Sequence, residues 1–255
     1  VSLKTKTVSF CKVVLLTAAI ATTVPLQAQF NLGNALNSVK KIADAVTVSD
    51  GEIVAMFGQM SDEMDRMNPV APPDDPYAQR LAALTAGLDN YDGLNLDIKA
   101  YRVADVNAFA MGDGTVRVMA GLMDGFEDNE IQCVIGHEIG HVKLEHSVKR
   151  MKSALQQDAA LSIASTASGD VRQLADSELG KLVGQVIDAQ YSQADETAAD
   201  DYALTFMRNN NYDVQGCPSA MDKLAALSGG AGGVALLQTH PSPQTRARRM
   251  RRQLD

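Results

Sequence analysis

The chain contains no tryptophan, and its 255 residues include only six tyrosines, six phenylalanines, three cysteines and four histidines. With so few aromatic side chains, a core must be filled by Leu, Val, Ala and Met. Three cysteines are too few for a disulfide framework. Positive charge is scarce too: 23 Lys and Arg stand against 31 Asp and Glu, a formal charge of −8. No broad basic patch is available to offset phosphate repulsion, which argues against nucleic acid as a partner. The cluster Arg246, Arg248, Arg249, Arg251 and Arg252 is the exception, and it reads as favourable charge near the end of a C-terminal helix. No apolar run reaches the roughly eighteen residues of a membrane span.

One shorter apolar run, Val13–Val24, follows Lys4, Lys6 and Lys12 and precedes Pro25-Leu26-Gln27-Ala28. That order is the pattern of an export signal over residues 1–28, cut near Ala28, and it predicts a periplasmic protein. Cys11 lies before the run, not after it where a lipid-anchored cysteine would stand. Without residues 1–28, twenty basic side chains face thirty-one acidic ones, a formal charge of −11. The mature chain keeps Cys133 and Cys217. Pairing is open to them in an oxidising compartment, but Cys133, one turn before His137 on the same face, reads by preference as a buried, inert thiol near the site.

Residues 29–75 read as an N-terminal helical segment ending in a Pro-rich linker, and residues 76–255 as one domain. In the first part helices are expected over Asn31–Val48 and Ser49–Met67, the second opened by a Ser49/Glu52 capping box. The stretch Asn68–Pro76 is a break, and a helix resumes over Tyr77–Leu88. Three strand-like runs follow, Leu96–Val103, Val106–Met111 and Thr115–Ala120, with Gly112-Asp113-Gly114 as a hairpin turn. Helices are expected over Asp128–Lys149, Glu145–Ala167, Val171–Tyr191, Ser192–Asn210, Pro218–Leu227 and Pro243–Gln253, with Ser228–Gly233 as a loop. The class is therefore α+β, mostly helical, with a small antiparallel sheet.

Two of the four histidines stand in His137-Glu138-Ile139-Gly140-His141. Four residues apart on a helix, both imidazoles share a face and can hold one Zn²⁺, and Glu138 between them can take a proton from water. A catalytic zinc needs a third ligand. Ser147 occupies the place where a metzincin histidine would stand, and His146, one residue early and off the required face, reads as a helix-end or outer-layer residue. Downstream glutamates are Glu145, Glu178 and Glu196. Glu196 has Asp200 one turn further on, a spacing that lets the first bind metal while the second orients a ligand histidine. Asp195 and Asp201 read as solvated helix charges. The small residues Ala194, Ala198 and Ala199 would let this helix approach the HExxH helix closely.

The HEIGH segment, Glu196-Thr197-Ala198-Ala199-Asp200, the Asn107-Ala108-Phe109-Ala110 strand and Thr239-His240-Pro241-Ser242-Pro243 together resemble the gluzincin metallopeptidases related to the HtpX and CAAX prenyl proteases. Within that group the likeness is to bacterial periplasmic proteases of the LoiP and BepA type. The resemblance implies a zincin-like core over roughly residues 76–252 and one Zn²⁺ per chain on His137, His141 and Glu196. It implies Glu138 as catalytic base, and His240 near the metal as oxyanion support or as a latch on the open position. Asp200 and Arg246 would support the ligands from behind, and Asn107, Ala108, Phe109 and Ala110 would be an edge strand receiving extended substrate. The chain departs from the group at Gln193, where arginine is common, and it lacks the tetratricopeptide repeats and the membrane helices of some members.

The implied function is zinc-dependent cleavage of unfolded or misassembled envelope proteins, with peripheral outer-membrane association as a further expectation. The rival reading is a periplasmic chaperone or assembly factor whose zinc is latent or structural. Structural zinc sites usually close with four protein ligands and favour cysteine.

Overall fold

The computed structural model describes residues 49–165, 190–228 and 234–255. The expected export signal, the Asn31–Val48 helix, most of the Val171–Tyr191 helix and nearly all of the Ser228–Gly233 loop lie outside the described residues. Helix α1 spans Asp50–Met67 and α2 spans Pro76–Leu84. Strands β1 (Asp97–Tyr101), β2 (Ala108–Ala110) and β3 (Thr115–Met119) follow. Next come α3 (Ala120–Gly125), α4 (Asp128–Lys143), α5 (His146–Ser165), α6 (Gln193–Asn209), α7 (Gly216–Leu227), α8 (Ala235–Thr239) and α9 (Pro243–Leu254). The short α3 and α8 had no signal in the sequence. Among the described residues, no helix is long and apolar enough to cross a membrane.

The sheet is mixed rather than antiparallel. Its order is β1-β3-β2, with β3 parallel to β1 and antiparallel to β2. The hairpin from β2 to β3 forms as the turn residues indicate, with Gly114 at φ +96° where a side chain would be strained. The parallel pair arises because the chain between β1 and β2 passes beyond the central strand, and strand-like composition does not specify which neighbour a strand takes.

Alternation along the strands gives the sheet two faces. Ala100, Ala108, Val116 and Val118 join the main core with Ile131, Val134, Ile135 and Ile139 of α4. On the other side α1 covers the sheet. Its Asp65 holds Arg117 at 2.8 Å, accepts the Tyr101 hydroxyl at 2.7 Å and pairs with Lys99 at 3.2 Å. Ile53, Met56, Phe57, Met60 and Met64 of the same helix pack on Met111 and on Val148 and Met151 of α5. The Ser49/Glu52 capping box is present as expected.

Two further expectations are corrected. The Asp128–Lys149 helix is broken: α4 ends at Lys143, and Glu145 takes a left-handed conformation (φ 57°) before α5 begins. The two expected helices overlap over 145–149, and no Gly or Pro stands there to fix the corner. Cys133 and Cys217 are not free thiols but a disulfide joining α4 to α7. The two helices meet closely: a Cβ on Gly216 would lie 2.4 Å from the Asn129 carbonyl oxygen. Their proximity depends on a contact across 84 residues of sequence, which spacing does not reveal.

Candidate active site

Helices α4 and α6 pack along their small residues. A Cβ at Gly140 would come within 3.2 Å of the Ala199 backbone, and one at Gly136 within 2.4 Å of the Phe206 ring. The close approach foreseen from alanines is therefore made by Ala199 with two glycines of the HEIGH helix. Ala194 is exposed and Ala198 only half-buried. This contact brings Glu196 beside the two histidines. The segment after α8 then adds His240, and α9 adds Arg246.

Four groups converge, all buried: His137, His141, Glu196 and His240 offer donor atoms within 4.8 Å of one another. His137 Nε2 lies 3.0 Å from His141 Nε2 and 3.3 Å from His240 Nδ1. Glu196 Oε1 lies 3.4 Å from His141 Nε2 and 2.9 Å from His240 Nδ1. Ligand atoms about 2.0–2.1 Å from a tetrahedral Zn²⁺ sit roughly 3.3 Å apart, so these separations suit one such ion. The donor set, imidazole nitrogens and a carboxylate, suits zinc as well.

Behind the donors, Asp200 Oδ1 stands 3.1 Å from His137 Nδ1, which directs the other ring nitrogen to the donor cluster. Arg246 pairs with Asp200 and, through Nη1, with Glu196 at 2.5 Å. Burial pushes the Glu196 carboxyl up, but bonds to His141 and His240 outweigh it and hold the group well below the usual range. Burial also opposes ionisation of Asp200, and Arg246 and His137 together more than compensate. Burial lowers the His141 imidazole, keeping it neutral, the form that binds a cation. Glu138 behaves oppositely: burial pushes its carboxyl up, and Oε1 has no hydrogen-bond partner among the described residues. His240 Nε2 lies 3.5 Å from Glu138 Oε1. An unpartnered buried carboxylate oxygen beside a donor cluster is poised to receive a proton.

The outer strand β2 holds Ala108, Phe109 and Ala110, and Asn107 precedes it with its carbonyl accepting the Met119 amide at 3.0 Å. Among the described residues, no strand pairs with the outer side of β2.

The sequence profile of Peptidase family M48 matches residues 79–254. The chain belongs to peptidase family M48. It is 35% identical over 241 residues to the metalloprotease LoiP of Escherichia coli, covering 94% of this chain and 95% of that protein. To the metalloprotease YcaL of the same organism it is 38% identical over 221 residues, covering 86% and 85%. A more distant relative is a putative β-barrel assembly-enhancing protease of Vibrio cholerae, 26% identical over 157 residues, 57% of this chain and 32% of that one. As an M48 member, the protein is a zinc metalloendopeptidase acting on polypeptides, and the buried His-His-Glu-His group is able to bind its one metal ion.

Other residues pack around the donors: His146, expected from the sequence as a helix-end or outer-layer residue, as found, and Tyr191, not expected at all. Tyr191 stacks on His141 with ring centres 3.8 Å apart, and its hydroxyl lies 2.8 Å from Ser147 Oγ. His146 lies against His141, with Nδ1 2.9 Å from His141 Nδ1. Asp195 is a helix-capping residue that also faces His146 at 3.5 Å, more than a solvated charge. Asp201 pairs with Arg249 at the surface. Only His146 had a signal, as a histidine just past the motif; Tyr191 is set by tertiary contact alone.

Proposed function

We propose that this peptidase works in the cell envelope, cleaving unfolded or misassembled polypeptides there, with His137, His141 and Glu196 as zinc ligands and Glu138 as base. The outer side of β2, with which no strand among the described residues pairs, carries the substrate reading. An unpaired strand edge offers backbone hydrogen bonds to any extended chain, whatever its side chains. Within Asn107–Ala110, the backbone groups of Ala108 and Ala110 alternate away from β3 and would bind substrate in this way. Compartment is supported by the Cys133–Cys217 disulfide, since such bonds persist in oxidising surroundings. A cleaved export signal over residues 1–28, periplasmic residence and peripheral contact with the outer membrane belong to the same proposal. The relative named for β-barrel assembly supports a role near membrane-protein biogenesis.

Zinc, when bound, supplies a Lewis acid that polarises the scissile carbonyl and brings the pKa of water toward neutrality. Glu138 accepts the proton of the attacking water and passes it to the leaving amine. Asp200 holds His137 in register, and Arg246 balances the charge of Asp200. Glu138→Gln in the mature chain should retain one zinc and lose casein cleavage by about 10²–10⁴-fold. Undiminished cleavage would remove Glu138 from the role of base. Incubating the active enzyme with unfolded outer-membrane proteins and with their folded forms tests the substrate reading, which predicts cleavage of the unfolded forms alone.

His240 Nδ1 lies among the donor atoms, 3.3 Å from His137 Nε2, which favours a latch over oxyanion support. His240→Ala should then raise activity on an unfolded substrate, whereas a fall would assign it to the oxyanion. Loss of all activity in both variant and wild type would revive the chaperone reading with closed zinc.

A further inference from the structure

The two motif histidines are backed by different chemistry. His137 has the Asp200 carboxylate at its Nδ1. His141 has another imidazole, with His146 Nδ1 2.9 Å from its own Nδ1. An imidazole that offers its Nε2 lone pair to a cation carries its one proton on Nδ1. His141 Nδ1–H therefore donates, and His146 Nδ1 must accept. His146 is then the tautomer with its proton on Nε2, the nitrogen that faces Asp195 Oδ1 at 3.5 Å. The direction of both contacts follows from the metal-facing nitrogen of His141.

Local folding serves this arrangement. Glu145 at φ 57° turns the chain sharply after α4, so that His146, the first residue of α5, folds back over the end of the motif helix. Its side chain is buried there. Tyr191 lies across the face of the His141 ring, so the face is held by stacking and the edge by His146.

We propose that His146 is a positioning residue for the metal site, accepting a hydrogen bond that fixes the tautomer and ring orientation of His141, with Asp195 fixing His146 in turn. The inference rests on His141 being a zinc ligand. Partners of this kind are worth about 10–100-fold in metal affinity.

The test uses the mature chain as wild type, His146→Leu and His146→Gln. Zinc affinity is read by chelator competition, the ligand field by the visible spectrum of the cobalt-substituted protein, and folding by melting of the metal-free forms. His146→Leu should bind zinc about 10–100-fold more weakly and shift the cobalt spectrum. His146→Gln, whose side-chain oxygen can accept from His141, should recover most of both. Wild-type affinity in His146→Leu, or equal losses in the two variants, would overturn the proposal. If His146→Leu does not fold, nitrogen chemical shifts of the zinc-loaded wild type decide: protons on His141 Nδ1 and His146 Nε2 are expected, and the opposite tautomer on His146 overturns it. Wild-type protein that takes up no stoichiometric zinc would instead overturn the ligand assignment beneath the proposal.

Discussion

At the scale of single residues, the site is a problem of charge held in a dry place. Asp200 is fully buried and touches both His137 and Arg246. Asp200→Asn keeps the shape but removes the charge that balances Arg246 and orients His137. Zinc affinity should fall about 10–100-fold, measured by chelator competition. Asp201→Asn, one residue on and paired with Arg249 at the surface, should leave affinity unchanged. The convergence of His137, His141 and Glu196 was legible because ligand chemistry restricts residue type and helical spacing restricts position. Tyr191 was not, because a stacked ring can be reached from anywhere in the chain. Ala194 illustrates the opposite error: a small residue near the motif was taken for a packing surface, while the contact is made by Gly136, Gly140 and Ala199.

At the scale of elements, the least expected finding is the role of α1. A helix that reads as a preliminary to the domain covers the outer face of the sheet, and its Asp65 balances Arg117, which is 1% exposed at the centre of β3. Asp65→Ala should cost about 1.5–3 kcal/mol, because Arg117 loses its charge-assisted bonds to Asp65 while keeping Asp97 at 2.8 Å. Replacing both partners with apolar residues should cost less, measured by denaturant unfolding. Burial pushes the Asp65 carboxyl up, but bonds from Arg117, Tyr101 and Lys99 outweigh it and bring it from 3.8 to about 2. A depressed carboxyl stabilises the fold fully above its ordinary value and ceases to do so as pH falls through the depressed one. The melting-temperature gap between wild type and Asp65→Asn should therefore be constant above about pH 4 and close toward pH 2. The α1 boundaries were legible because a capping box is local, whereas the partners of its Asp65 lie in strands 34 to 52 residues away. The hairpin turn was legible for the same reason, and the parallel pairing of β1 was not. Gly140→Ala should strain the α4–α6 contact by about 1–3 kcal/mol, visible as a lower melting temperature.

At the scale of the whole molecule, α4 is fixed from two sides. The disulfide ties Cys133 to α7, and one turn later His137 enters a site completed 103 residues downstream by His240. Reducing the disulfide should lower stability by about 2–4 kcal/mol, seen as an earlier melting transition in reductant. A Cys133→Ser/Cys217→Ser double variant should melt with the reduced protein. The sequence held both cysteines in view, but pairing them needed the packing of α4 on α7, which only the folded chain provides.

The outer side of β2 is only three residues long. On the proposed reading, so brief a ledge would grip a visitor's main chain and very little else, and a compact protein has no loose main chain to lend. Discrimination between healthy and damaged clients would then need no recognition of sequence: the client's own folding decides whether it can be seized.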